Sequence, residues 1–161
     1  LAHKSKGWIE SDPKAFKEWF QNCVNENGQV IRHMVKFLKA WKVKKGVDIP
    51  GMAITILVCN NYTVTDKRED ISLLDTVTNI LDCLDTKFEC YKPITPTDED
   101  LFAGYSETKK ENVTNSFKTL KIRLNKAIYE EKNEKIKRTL SGGNAVSWTV
   151  GMQFFGRQFF R

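Results

Sequence analysis

The stretch from Gln29 to Gly46 reads Gln-Val-Ile-Arg-His-Met-Val-Lys-Phe-Leu-Lys-Ala-Trp-Lys-Val-Lys-Lys-Gly, and it constrains the fold more than any other part of the chain. Ile31, Met34, Val35, Leu38 and Trp41 recur at spacings of three and four, the signature of one buried face of an α-helix. Arg32, Lys36 and Lys39 fall at i, i+4 and i+7, so three cations share a second side. Like charges at that spacing repel, and the row therefore does not serve helix stability. Two readings stand at this point. The row is a solvated lysine-rich face, or it is a set of donors aimed at phosphate. Gly28 and Gly46 punctuate the two ends, and Lys42, Lys44 and Lys45 sit favourably near the negative end of the helix dipole.

The other segments supply partners for that apolar stripe. Asp12 before Pro13 is a helix start, with Asp as N-cap and Pro at the first helical position. The helix it opens, about 13–25, presents Phe16, Trp19, Phe20 and Cys23 on one side. Asn25 to Gly28 then reads as a turn. After a short loop through Pro50-Gly51, residues 52–59 are almost wholly apolar. Periodicity alone leaves buried strand and buried helix open, and the Pro-Gly opening with Ala and Met tilts the reading to helix. Residues 60–66 read as a loop, with Thr65 or Asp66 able to cap the next helix. That helix, about 68–86, is expected to turn Ile71, Leu74, Val77, Thr78, Leu81 and Leu84 inward and Asp70, Asp75, Asp82 and Asp85 outward. Residues 88–96 are extended by their prolines, a strap across the bundle, and Thr97 to Asp100 cap a short turn through Leu101 and Phe102. A long helix over about 107–131 has Val113, Phe117, Leu120, Leu124, Ala127 and Ile128 on its inner side. It continues through 133–140, with room for a break between. An aromatic-rich last helix is expected over 145–159. The chain thus reads as mainly α, one helical domain over 1–161 with an irregular lead-in at 1–12.

Length and composition set limits. The 161 residues suffice for one domain with a core, and 40% hydrophobic with 29% charged residues is ordinary for a globular protein. No apolar run is long enough to cross a bilayer, and the polar start, Leu1 without a methionine, does not read as a signal peptide. A fragment or a processed chain fits that start. The net charge of +6 is unevenly distributed: residues 1–46 hold ten Lys/Arg against four Asp/Glu, 47–100 four against eleven, and 101–161 twelve against five. Alternating blocks point to a basic pocket beside an acidic surface rather than a uniform nucleic-acid track. Cys23, Cys59, Cys83 and Cys90 are widely spaced and read as reduced thiols in a cytoplasm; with only His3 and His33 beside them, no zinc set is visible.

Several pieces then fall in a recognisable order. Trp8 and Asp12-Pro13 come first, then Arg32-x-x-x-Lys36-x-x-Lys39-Ala-Trp41, then Pro50-Gly51-x-Ala53-Ile-Thr55. Tyr91-x-Pro-x-x-Pro96 comes next, then the long helix to Ala127, and finally Ala145-x-x-Trp148 through Phe155-Gly156-x-x-Phe159. The series resembles the C-terminal helical half of the cGAS/DncV-like nucleotidyltransferases (CD-NTases), bacterial synthases of cyclic di- and trinucleotides in anti-phage CBASS defence. The resemblance covers nearly the whole chain. Its specificity rests mostly on the Arg…Lys…Lys-Ala-Trp helix and the Trp…Phe-Gly…Phe end.

That resemblance implies a helical bundle lobe packed on a polymerase-β-like core that residues 1–161 do not contain. It also implies that the core's carboxylates hold Mg²⁺ for nucleotidyl transfer, so no catalytic residue and no metal ligand is expected in this chain. Lys39 takes the position of a ligand of the donor triphosphate, with Lys36 and Arg32 in supporting places; the substrates implied are ATP, GTP or other nucleoside triphosphates. A CBASS regulatory protein is an implied partner, and no membrane is. The sequence departs from the family at Pro50, which stands where members often carry Ser before the Gly. The competing reading is a non-catalytic helical module, a sensor or adaptor that binds nucleotide or RNA through the basic 107–138 region.

Overall fold

Asp12 opens the first helix as its sequence predicts: its carboxylate accepts a hydrogen bond from the Ala15 amide at 2.9 Å, and Pro13 takes the first helical position. The computed structural model describes residues 2–3, 7–8, 12–63, 68–94 and 99–140, with side chains from 12 to 134. Five helices make up most of it. They are α1 (Pro13–Asn27), α2 (Val30–Lys45), α3 (Gly51–Asn61), α4 (Glu69–Thr86) and α5 (Glu107–Leu140). Ahead of them, β1 (Ala2–His3) and β2 (Gly7–Trp8) form a two-residue antiparallel pair inside the lead-in. The expected aromatic helix at 145–159, and Thr65 and Asp66 as caps, lie outside the described residues.

The core forms where the apolar stripes meet. On α2, Ile31, Met34, Val35, Leu38 and Trp41 are all buried, the full stripe read from the sequence. Six consecutive residues of α3, Ala53 to Val58, are buried on every side, which settles the strand-or-helix ambiguity of that run. Such a helix has no solvent face, so periodicity could not reveal it. The Thr55 hydroxyl inside it donates to the Gly51 carbonyl at 3.1 Å and is satisfied. From α5, Val113, Phe117, Leu120, Leu124 and Ala127 enter the same core. Phe117 meets Trp41 of α2 with ring centroids 5.0 Å apart. The α5 helix runs without interruption to Leu140, so the break allowed near 131–133 is not there.

The buried face of α4 is rotated from expectation. Ser72, Leu73, Thr76, Val77, Ile80, Leu81 and Leu84 are buried, whereas Ile71, Leu74 and Thr78 are only partly covered. The hydroxyl of Thr76 donates to the Ser72 carbonyl at 2.7 Å and lies 3.6 Å from the Met34 sulfur, so a polar residue occupies the seam at little cost. Asp70 does not face away either. It pairs with Arg68, which also reaches Glu131 of α5 at 2.7 Å and so ties α4 to α5.

The described part of the segment after α4 packs against the core, and Pro96 and Thr97 lie outside the described residues. Cys90 is buried, its amide bonds the Asp100 carboxylate at 2.8 Å, and the same carboxylate caps the Phe102 amide at 3.0 Å. Phe88, Phe102 and Tyr105 cluster beneath this strap.

Candidate functional site

The conformation of α2's end decides where its cations can point. Gly46 adopts a left-handed conformation, φ 64° and ψ 30°, and its amide bonds the Val43 carbonyl while the Val47 amide bonds that of Lys42. This turns the chain back, and the Lys42 ammonium donates to the Ile49 carbonyl at 2.6 Å. The loop from Val47 to Pro50 is thereby fixed, and α3 starts beside α2. A side chain placed on Gly51 would come within 3.6 Å of Lys39 Cε, so the stem of Lys39 lies over the first turn of α3.

The three cations of the row therefore differ. Lys39 has no hydrogen-bond or ion-pair partner among the described residues. Partial burial, and secondarily the charge of Lys42, hold its pKa below the ordinary lysine value. Lys36 lies one turn earlier, and both lysines are exposed. Arg32 is turned towards α1, where its guanidinium donates to the Gln21 carboxamide at 2.5 Å and lies 5.4 Å from the Phe20 ring centroid. The structure thus keeps Lys36 and Lys39 available and engages Arg32 with a neutral partner, which leaves its positive charge uncancelled.

The start of α3 contributes donors of another kind. Gly51, Met52 and Ala53 are its first residues, and their amides have no intrahelical acceptor; the Ile54 amide is the first to be paired, with the Pro50 carbonyl at 3.2 Å. Pro50 has no hydroxyl, and Thr55 is buried with its hydroxyl turned to Gly51. The unpaired Lys39 side chain thus runs beside Gly51, the first residue of a helix whose opening amides have no intrahelical acceptor. Sequence reading did not foresee that Lys42 closes on the Ile49 carbonyl and holds the loop. Lys42 looked like one more lysine in a basic run, and only the Gly46 turn hints that its reach ends at the loop. Likewise His33, taken as isolated, meets Glu69 of α4 at 3.0 Å, a contact across 36 residues of sequence.

With this geometry in place, the comparisons with known proteins become informative. The chain is similar to bacterial cyclic GMP-AMP synthases. One, from Escherichia albertii, is 29% identical over 112 residues, which cover 61% of this chain and 25% of that protein. Another, from Vibrio cholerae serotype O1, is 29% identical over 66 residues, covering 41% of this chain and 15% of that protein. The chain thus matches a quarter or less of the length of these curated relatives. No family model matches it.

Among the described residues no three His, Cys, Asp or Glu side chains gather where they could hold a metal ion. Several acids are instead engaged singly by cations: Asp48 by Lys109, Asp70 and Glu131 by Arg68, Glu99 by Lys92 and Asp85 by Lys118. Among the described residues no helix is long and apolar enough to cross a membrane.

Proposed function

We propose that this chain is the C-terminal helical lobe of a cGAS/DncV-like nucleotidyltransferase, which joins nucleoside triphosphates into a cyclic di- or trinucleotide in the cytoplasm as part of anti-phage CBASS defence. In this reading a polymerase-β-like core supplies the carboxylates and the Mg²⁺ they hold. The helical lobe supplies Lys39 to the donor triphosphate of ATP or GTP, with Lys36 and Arg32 adding positive charge along the same side of α2. The observation that supports the reading is the stem of Lys39 beside Gly51, the first residue of α3, whose opening amides have no intrahelical acceptor. The partial similarity to cyclic GMP-AMP synthases supports it independently.

Electrostatics favour the same assignment. Phosphoryl and nucleotidyl transfer require fixed positive groups where charge shifts between phosphate oxygens, and the protein's part is largely positioning. Pro50 and Thr55 bring no hydroxyl to the cradle, so this lobe acts through amides and ammonium alone.

In an enzyme carrying both lobes, Lys39→Ala is expected to lower kcat/KM for the donor triphosphate by about tenfold or more, the loss of at least about 1.4 kcal/mol of transition-state stabilisation. Unchanged nucleotide kinetics in that variant would remove Lys39 from the site.

A further inference from the structure

Two adjoining hollows lie on the side of α2 away from Lys39. The smaller, of about 120 Å³, is framed by Trp41, Lys45, Ser116, Thr119, Leu120 and Arg123. The larger, of about 290 Å³, includes Val47, Asp48, Ser106, Lys109, Asn112 and Val113 in its walls. Ser116 belongs to both, so they meet along α5. At 100° per residue, Trp41 stands about 200° round α2 from Lys39. The groove is therefore separate from the surface assigned to the triphosphate, and its chemistry is independent of that assignment.

The two ends of the groove have different chemistry. At the small end, Lys45 from α2 and Arg123 from α5 approach one hollow from two elements, and neither has a carboxylate partner among the described residues. Both are exposed, while the floor between them, Trp41 and Leu120, is buried and apolar. A low-dielectric floor under two like charges concentrates their field outward. The hydroxyl protons of Ser116 and Thr119 are spent on the carbonyls of Asn112 and Asn115, so the attraction at this end is that of the two cations.

At the large end the floor is again apolar, with Val47 and Val113 buried, but the rim mixes donors and acceptors. The Asn112 carboxamide makes no hydrogen bond among the described residues and offers both. Asp48 is paired with Lys109 at 2.7 Å and its carbonyl accepts from the Tyr105 hydroxyl at 3.1 Å. An apolar floor with a few convergent polar groups suits a flat heterocycle and its sugar, and the larger hollow lies just under the lower end of small-molecule sites, about 300–1,000 Å³.

We propose that this groove binds a nucleoside phosphate, its phosphoryl oxygens between Lys45 and Arg123 and its nucleoside in the hollow bordered by Asn112, Ser106 and Asp48. Arg and Lys divide the anion between a planar fork and a point charge. The amide of Asn112 provides the paired donor and acceptor that base edges require.

The test is a titration of the chain with adenosine 5′-monophosphate, inorganic phosphate and a ten-nucleotide single strand, monitored through backbone amide resonances. Adenosine monophosphate is expected to shift Lys45, Asn112, Ser116 and Arg123 saturably. Phosphate is expected to shift Lys45 and Arg123 without shifting Asn112, and to bind this groove more weakly. Joint Lys45→Ala and Arg123→Ala exchange is expected to weaken the nucleotide by about tenfold or more. Both side chains are exposed, and an unchanged dispersion of resonances verifies the fold. Asn112→Ala is expected to weaken the nucleotide and leave phosphate binding as it was. The proposal is overturned by shifts confined to the Arg32–Lys39 side of α2, by undiminished affinity in the double variant, or by a nucleic-acid strand that binds here while the mononucleotide does not.

Discussion

Lys39 and Lys42 are one helical turn apart, yet the fold gives them opposite tasks. Lys42 spends its ammonium on the Ile49 carbonyl and holds a loop; Lys39 keeps its donors and sits where burial and its neighbour depress its pKa. The consequence has a definite sign. A bound phosphate favours the ammonium, so the pKa of Lys39 is higher in the complex than in the free protein. Its contribution to affinity is whole below the free value and is lost as pH rises through the bound value. The free value lies below the ordinary 10.5, so the decline starts at lower pH than for a lysine in water. Dissociation constants for ATP in the two-lobed enzyme, measured from neutral to alkaline pH, should steepen through this region and lose that limb in Lys39→Ala. Identical slopes in the two proteins would mean that Lys39 does not touch the anion.

At the scale of elements, the turn after α2 is the piece on which the site geometry hinges. Gly46 has open space where a Cβ would go, so a substitution there meets no clash; the cost is the left-handed backbone itself. Gly46→Ala is expected to destabilise the chain by about 1 kcal/mol, read as a lower urea midpoint at unchanged slope. An unmoved midpoint would show that the turn is not held in that conformation. Sequence reading found this turn, the full stripe of α2 and the cap of α1, because each is a local signal: a spacing, a glycine, an Asp-Pro pair. On α4 it turned Val77, Leu81 and Leu84 inward correctly but missed Ser72 and Thr76, which look polar; the Thr76 hydroxyl fits a core seam by bonding back to the Ser72 carbonyl. It allowed a break in α5 that does not occur. The lysine- and glutamate-rich stretch there holds no Gly or Pro to stop the helix, and Glu131 is anchored by Arg68 from a distant part of the chain. The same limit applies to the site. The row Arg32, Lys36, Lys39 was legible as a stripe, while the diversion of Arg32 to Gln21 and Phe20, and the adjacency of Lys39 to Gly51, depend on how α1 and α3 pack against α2.

For the molecule as a whole, the decisive feature is how its acids are distributed. Two-metal nucleotidyl transfer needs carboxylates that converge on the ions with their oxygens free to ligate. Here the described acids are dispersed over α4, α5 and the connecting loops, and several are already engaged by cations, as at Arg68, Lys92, Lys109 and Lys118. The positive groups, by contrast, are left open on α2, where Lys36 and Lys39 have no carboxylate partner among the described residues. Such a division, cations presented and acids spent, suits a lobe that grips a polyphosphate whose metal is held elsewhere. Residues 1–161 supplied with ATP, GTP and Mg²⁺ are accordingly expected to form no cyclic or linear dinucleotide, and addition of a polymerase-β-like core in the same polypeptide is expected to give a product that depends on Lys39. Chromatography of the nucleotides after prolonged incubation distinguishes the cases. Synthesis by the 161 residues alone would require a carboxylate cluster that the described acids do not form, and the two-lobed reading would fall.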